Sequence, residues 1–133
     1  VAPHGQVVIA SLEPAAAAQL LAGIERRDPA GTATLADVAR DAACGLCFAA
    51  TEATTDSRAV YVVDAHHGQL RVRWCMGEGA VDWTRTLLPA IEAQAARAGL
   101  HSVAFQTARR GLVRLAERQG YEVTGWILRK DVA

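Results

Sequence analysis

Between residues 70 and 98 the apolar spacing changes period at a pair of glycines, and few folds accommodate that change. The run LRVRWCM (70–76) puts Leu70, Val72, Trp74 and Met76 on one side of an extended chain and Arg71, Arg73 and Cys75 on the other. That is the period of two expected of a half-buried strand. Past GEG (77–79), residues 82–98 adopt helical spacing, with Trp83, Leu87, Leu88, Ile91 and Ala95 in one stripe. Pro89 inside that stripe predicts a bend or a looser first turn. Gly99 closes the helix, and HSVAFQT (101–107) reads as another strand. Strand, helix and strand in succession belong to an α/β sheet.

The flanking segments extend the same pattern. QVVIA (6–10) reads as a short strand. The next segment, 11–29, reads as a helix with Ser11 as its cap and Pro14 in its first turn, ended by Asp28 and Pro29. A second helix starts at Thr34, with Asp37 at the capping-box spacing, and stops at Gly45. LCFAAT (46–51) and RAVYVVDA (58–65) read as strands, joined to 70–76 by polar turns. RRGLVRLAERQG (109–120) reads as a short helix and YEVTGWILRK (121–130) as a last strand. No repeat or linker interrupts the chain, so the expectation is one α/β domain over 1–133: a mixed, mostly antiparallel sheet flanked by helices.

Composition narrows the function classes. With 51% hydrophobic residues in 133, the chain can bury a core, and 21% charged residues argues against long disorder. The 14 basic and 14 acidic residues cancel, whereas a nucleic-acid coat or a membrane-surface protein normally shows a basic excess. No apolar run approaches the ~20 residues of a membrane-spanning helix, and no signal-peptide pattern opens the chain. Three cysteines make no disulfide framework. The expectation is a cytoplasmic protein with no nucleic-acid or membrane partner.

The second half, residues 58–132, resembles the GNAT N-acyltransferase superfamily; residues 1–57 resemble it in element order. LLPAIEAQAARAGLHSVAFQT (87–107) is similar to the family's central helix and the strand that follows it. ARRGLVRLAERQGYEVTGWILRKDV (108–132) is similar to its closing unit, with Gly120-Tyr121 where Gly-Phe is usual. The segment ARRGL looks most like short phage- and prophage-type members. The resemblance implies binding of acetyl-CoA between LRVRWCM and HSVAFQT and direct acetyl transfer to a primary amine of a small molecule or protein. It also allows a homodimer. The family's acyl-CoA loop reads (Gln/Arg)-x-x-Gly-x-(Gly/Ala); WCMGEG supplies Gly77 and Gly79, with Trp74 at the first position. In the closing helix Arg109 takes the usual Asn position, and Ala116 replaces the Tyr that protonates the departing thiolate.

Each candidate site residue carries two readings. Met76, Gly77, Gly79 and Ala80 either offer backbone N–H groups to a diphosphate or form a strand-to-helix turn that needs glycine. Glu78 is a base for the amine or a solvated acid. Arg109 and Arg110 open a helix, where cations oppose the dipole, so they face either an anion or water. Arg71 and Arg73 need water, acids such as Asp64, or an anionic ligand. Cys44 and Cys47 in CGLC, with His66 and His67, invite a zinc reading; adjacent histidines on a strand end point apart, and no metal is expected. His66, His67 and His101 are candidate general bases by residue type, or inert turn and surface histidines. Ser11, Ser57 and Ser102 show no pattern of an activated nucleophile. Trp83 and Trp126 read as core, and Trp74 as core or as the wall of an acyl channel. Three readings follow: an acetyl-CoA-dependent N-acetyltransferase, a catalytically silent module of the same fold serving as a binding or structural protein in a phage or prophage setting, or a modifier or inhibitor that docks a host protein.

Overall fold

The computed structural model describes residues 6–27, 34–107, 109–128 and 130–132. Its strands are β1 (Val7–Leu12), β2 (Leu46–Glu52), β3 (Ser57–His66), β4 (Gln69–Glu78) and β5 (Ser102–Phe105), and they lie side by side in that order. The first four pair antiparallel and β5 joins β4 in parallel. The helices are α1 (Pro14–Leu20), α2 (Leu35–Cys44), α3 (Trp83–Arg97) and α4 (Arg110–Arg118), with a 3-10 turn over Ala22–Arg27. Parallel pairing requires a crossover, and α3 supplies it. The mixed, mostly antiparallel sheet flanked by helices is therefore what forms. Among the described residues no helix is long and apolar enough to cross a membrane.

Helices cover both faces, which explains the unbroken apolar run AVYVV in β3. Ala59, Tyr61 and Val63 point to α3, where they meet Trp83, Leu87 and Ile91. Val60 and Val62 point the other way, into Ala17, Leu21 and Val38 of the α1–α2 side. A strand buried on both faces carries apolar residues at every position.

Four sequence expectations need correction. Ser11 lies in β1, paired opposite Phe48, and Glu13 holds the cap position of α1. Pro14 at the first helical position presets the helical φ there, so the helix begins without a side-chain cap. The helix read as 11–29 is α1 followed by the 3-10 turn; its expected end at Asp28 and Pro29 lies outside the described residues. The strand read over 121–130 is not in the sheet: none of the described residues from Tyr121 to Leu128 is in a strand. A strand exists only with a partner for its backbone, and none of the described strands pairs with this segment. Trp126 is accordingly 89% exposed and fills no core, whereas Trp83 is buried.

The fourth correction concerns β4. Val62 pairs with Trp74 and Val63 with Val72, so Arg73 is an extra residue, a β-bulge. One inserted residue exchanges the faces of everything beyond it. Leu70 and Val72 pack on the α3 side, while Trp74 and Met76 pack on the α1–α2 side. The alternation visible in LRVRWCM does not describe one face. The Thr34 expectation holds: it caps α2 by accepting from the Asp37 amide at 3.1 Å. At Pro89, where the sequence predicts a bend or a looser first turn, α3 runs on as one helix from Trp83 to Arg97.

Candidate active site

β5 accompanies β4 only from Gln69↔Ser102 to Val72↔Phe105. Beyond that point β4 continues to Glu78 with no described strand on its β5 side. The parting of the two strands begins one residue before the bulge at Arg73. Along that part of β4 about every second backbone N–H points away from β3, toward the gap, because strand amides alternate in direction. Cys75 pairs with Tyr61, whose side chain lies on the α3 side. Its thiol is open to solvent, yet burial pushes its pKa up to about 12. The thiol is protonated at neutral pH, which makes it a poor nucleophile.

The glycines at the end of β4 are explained by their neighbours. A Cβ on Gly77 would lie 2.5 Å from Cδ1 of Trp83, so glycine there admits the indole against the strand. Gly79 has φ +96°, and a Cβ on it would lie 2.3 Å from Ser57 Oγ. Ser57 Oγ accepts from the Ala80 amide at 2.9 Å and the Val81 amide at 3.3 Å. Those two N–H groups are engaged inside the protein. The Trp83 indole N–H donates to the Glu78 carbonyl at 2.9 Å and pins the same loop from the helix side.

The open donors lie one step further on. The first intrahelical acceptor of α3 is the Asp82 carbonyl, which receives the Thr86 amide. The amides of Trp83, Thr84 and Arg85 have no such partner by helix geometry. Asp82 at the cap position makes no side-chain hydrogen bond to them; its carboxylate lies 3.4 Å from Arg85 Nε. Beside this turn is a depression of about 260 Å³ lined by Arg85, Leu115, Arg118 and Gln119. The Gln119 side-chain amide donates to the Thr84 carbonyl at 3.4 Å, joining the end of α4 to the start of α3. Orphan N–H groups and the helix dipole favour an anion at this turn, with Arg118 close by, whereas Arg85 already faces the Asp82 carboxylate and the depression itself is mostly apolar. Arg85 and Arg118 are not legible as a pair in the sequence, because nothing local predicts that the end of α4 meets the start of α3.

The remaining candidates are scattered. Arg109 and Arg110 begin α4, roughly 13 Å along its axis from the Gln119 end. Met76 and Glu78 face the α1–α2 side, where they line a small hollow of about 20 Å³ with Leu20, Arg58 and Val60. Ala116 is buried. Arg71 grips Asp64 with two hydrogen bonds, 2.7 and 3.0 Å, and holds its carboxyl below the usual range. Arg73 lies 3.7 Å from Asp41 and 3.9 Å from Asp64, so acids of the protein answer both arginines. Asp41 also accepts the Trp74 indole N–H at 2.7 Å. Cys47 is buried and Cys44 exposed, and the His66 and His67 rings meet edge-on at 4.0 Å. Among the described residues no three His, Cys, Asp or Glu groups gather to hold a metal ion.

No protein-family model matches the chain, and no curated protein sequence matches it. Solved structures do. A candidate acetyl transferase from Pyrococcus furiosus superposes with a TM-score of 0.61 at 13% identity, over 96% of this chain and 100% of that one. A candidate GNAT-family acetyltransferase from Xanthomonas campestris pv. campestris gives 0.55 at 18% identity, over 98% of this chain and 96% of its own. AAC(6')-Iy, solved with the bisubstrate analog CoA-S-monomethyl-acetylneamine, gives 0.53 at 12% identity, over 97% and 99%. Likeness at such identities is one of fold: this chain has the fold of GNAT acetyltransferases.

Proposed function

We propose that this chain is an acyl-CoA-dependent N-acetyltransferase of the GNAT superfamily, acting on a primary amine of a small molecule or protein. The observation that carries the reading is the parting of β4 from β5 next to the bulge at Arg73; the parted stretch runs on to Glu78, where Trp83 at the uncapped amino end of α3 packs against Gly77. The ARRGL segment (108–112) favours a short member of the phage or prophage type.

The residues present fit a nucleotide diphosphate at α3 better than at the glycines, since Ser57 engages the Ala80 and Val81 amides. The Trp83, Thr84 and Arg85 amides would hold the diphosphate, with Arg85 and Arg118 adding charge. Acetyl-CoA, as co-substrate, would supply a thioester whose carbonyl the amine attacks. Backbone N–H groups of β4 just beyond Val72, on the side that β5 leaves, would orient that carbonyl and stabilise charge developing on its oxygen. Glu78, which lines the hollow on the α1–α2 side with Met76, would accept the amine proton. Ala116 offers no proton to a departing thiolate, so water does so, and positioning supplies most of the rate.

Thermal melts test this. With acetyl-CoA at about a hundred times its Kd, binding should stabilise the fold by about 2.7 kcal/mol, or several degrees in Tm. An unchanged Tm at millimolar acetyl-CoA removes the transferase reading. One observation favours the second reading, a catalytically silent module: buried Ala116 stands where the acid should be. Stabilisation by acetyl-CoA without turnover on any of a broad panel of amines would select that module.

We also propose that the chain pairs as a homodimer through its last segment. Trp126, Ile127 and Leu128 are 89%, 70% and 93% exposed, and β5 has no described neighbour on its outer edge. Contiguous exposed apolar side chains and an open edge both favour association. Light scattering should find a dimer that Trp126→Asp combined with Leu128→Asp turns into a folded monomer. A wild-type monomer, or a variant that stays dimeric, would refute the pairing.

A further inference from the structure

Glu52 and Ser57 are the two buried polar or charged residues among those described, and both stand at the ends of the same turn. The Glu52 carboxylate accepts four hydrogen bonds: from the Thr54 amide at 2.8 Å, the Thr55 amide at 3.1 Å and the hydroxyls of both threonines. Those bonds hold its pKa down at about 2, so it is ionised at any ordinary pH. Two carboxylate oxygens offer about four acceptor sites, and all are used.

Counting protons then gives the direction of the next bond. The Thr55 hydroxyl has one proton and directs it at Glu52. In its 2.8 Å contact with Ser57, Thr55 can therefore only accept, and Ser57 must donate. Donating that way leaves both Ser57 lone pairs for the Ala80 and Val81 amides, which is where those N–H groups point. A chain of bonds with one polarity thus runs from a buried anion to the loop that delivers the chain into α3.

We infer that Glu52 is a positioning residue for the loop between β4 and α3, acting through Thr55 and Ser57 to set how the amino end of α3 meets an anionic ligand. The inference rests on the acyl-CoA reading for the identity of that anion, but not for the relay itself. A neutral amide at 52 would bring donors to a place where only donors arrive. Thr55 would then turn its proton toward Ser57, Ser57 would lose an acceptor site, and one loop amide would be released.

Amide NMR of the full chain tests the relay. In Glu52→Gln the Ala80 and Val81 resonances should move and their hydrogen exchange should quicken at least tenfold, with α2 resonances unchanged. Ser57→Ala should reproduce this at the loop and also covers the case in which Glu52→Gln does not fold. Thr54→Val, which touches the same carboxylate outside the relay, should lower stability and leave Ala80 and Val81 in place. Both relay variants should weaken CoA binding by roughly tenfold, the worth of one hydrogen bond to a charged partner. Unmoved Ala80 and Val81 signals in folded relay variants overturn the inference, as does unaltered CoA affinity where those signals move. If the signals move and wild-type protein binds no CoA, the relay stands and the transferase reading falls.

Discussion

Tyr61→Ala should remove about 4 kcal/mol of folding stability, the usual loss when a fully buried aromatic side chain is truncated to alanine. Tyr61 is 0% exposed and sits in β3, the middle strand of five. Its ring stacks on Phe48 of β2 at 5.4 Å, and its hydroxyl donates to Gln94 of α3 at 2.6 Å. The side chain thus ties two strands to the crossover helix. Burial raises its own pKa further above the ordinary phenol range, so the hydroxyl remains a donor throughout the working pH. Tyr61→Phe separates the two contributions: it keeps the ring and strands the Gln94 oxygen, a loss of about 1–2 kcal/mol. Urea melts of the three proteins check this, with the slope m unchanged if only stability moves. A domain of this size has about 5–15 kcal/mol in total. A loss under ~1.5 kcal/mol for Tyr61→Ala would mean that the site collapses around the deletion.

Gly79→Ala should be nearly as damaging, at about 3 kcal/mol, by combining left-handed backbone with steric overlap. The new methyl group would meet Ser57 Oγ at 2.3 Å, its Cβ at 2.7 Å and its Cα at 2.8 Å. The last two atoms cannot rotate away, so the loop or β3 must shift. Gly99 provides the control. It has φ +76° and nothing lies within 4 Å of where a methyl group would sit, so Gly99→Ala carries the dihedral cost alone, about 1 kcal/mol. The measurement is the difference between the two variants in the same melts. Equal losses would show that the contact with Ser57 is not tight in solution. Because the Gly79 loop leads directly into α3, the variant should also lose the stabilisation by acetyl-CoA expected of the wild type.

Several elements were legible because their cause is local. Thr34, Asp37 and Gly45 mark α2 by hydrogen bonding within a few residues, and the bonds form as the spacing implies. The stripe of Trp83, Leu87, Leu88 and Ile91 marks α3, and all four are buried. The candidate site was less legible. Gly77 and Gly79 stand out in the sequence, but their spacing does not distinguish a phosphate cradle from glycines pressed against Trp83 and Ser57. Two of the residues lining the depression beside α3, Arg85 and Arg118, are 33 positions apart and carry no shared motif.

The residues themselves determine the order of strands and helices, because periodicity, caps and turn glycines act over one or two turns of chain. They also determine that both faces of β3 need cover, since AVYVV leaves no polar side. Only the assembled sheet decides the bulge at Arg73, the point where β5 leaves β4, and the meeting of Ser57 with the Ala80 and Val81 amides of a distant loop. Each of these depends on which backbone lies alongside which. The segment from Tyr121 to Leu128 shows the same division: its side chains favour a strand, but pairing needs a second backbone, and among the described residues none pairs with it.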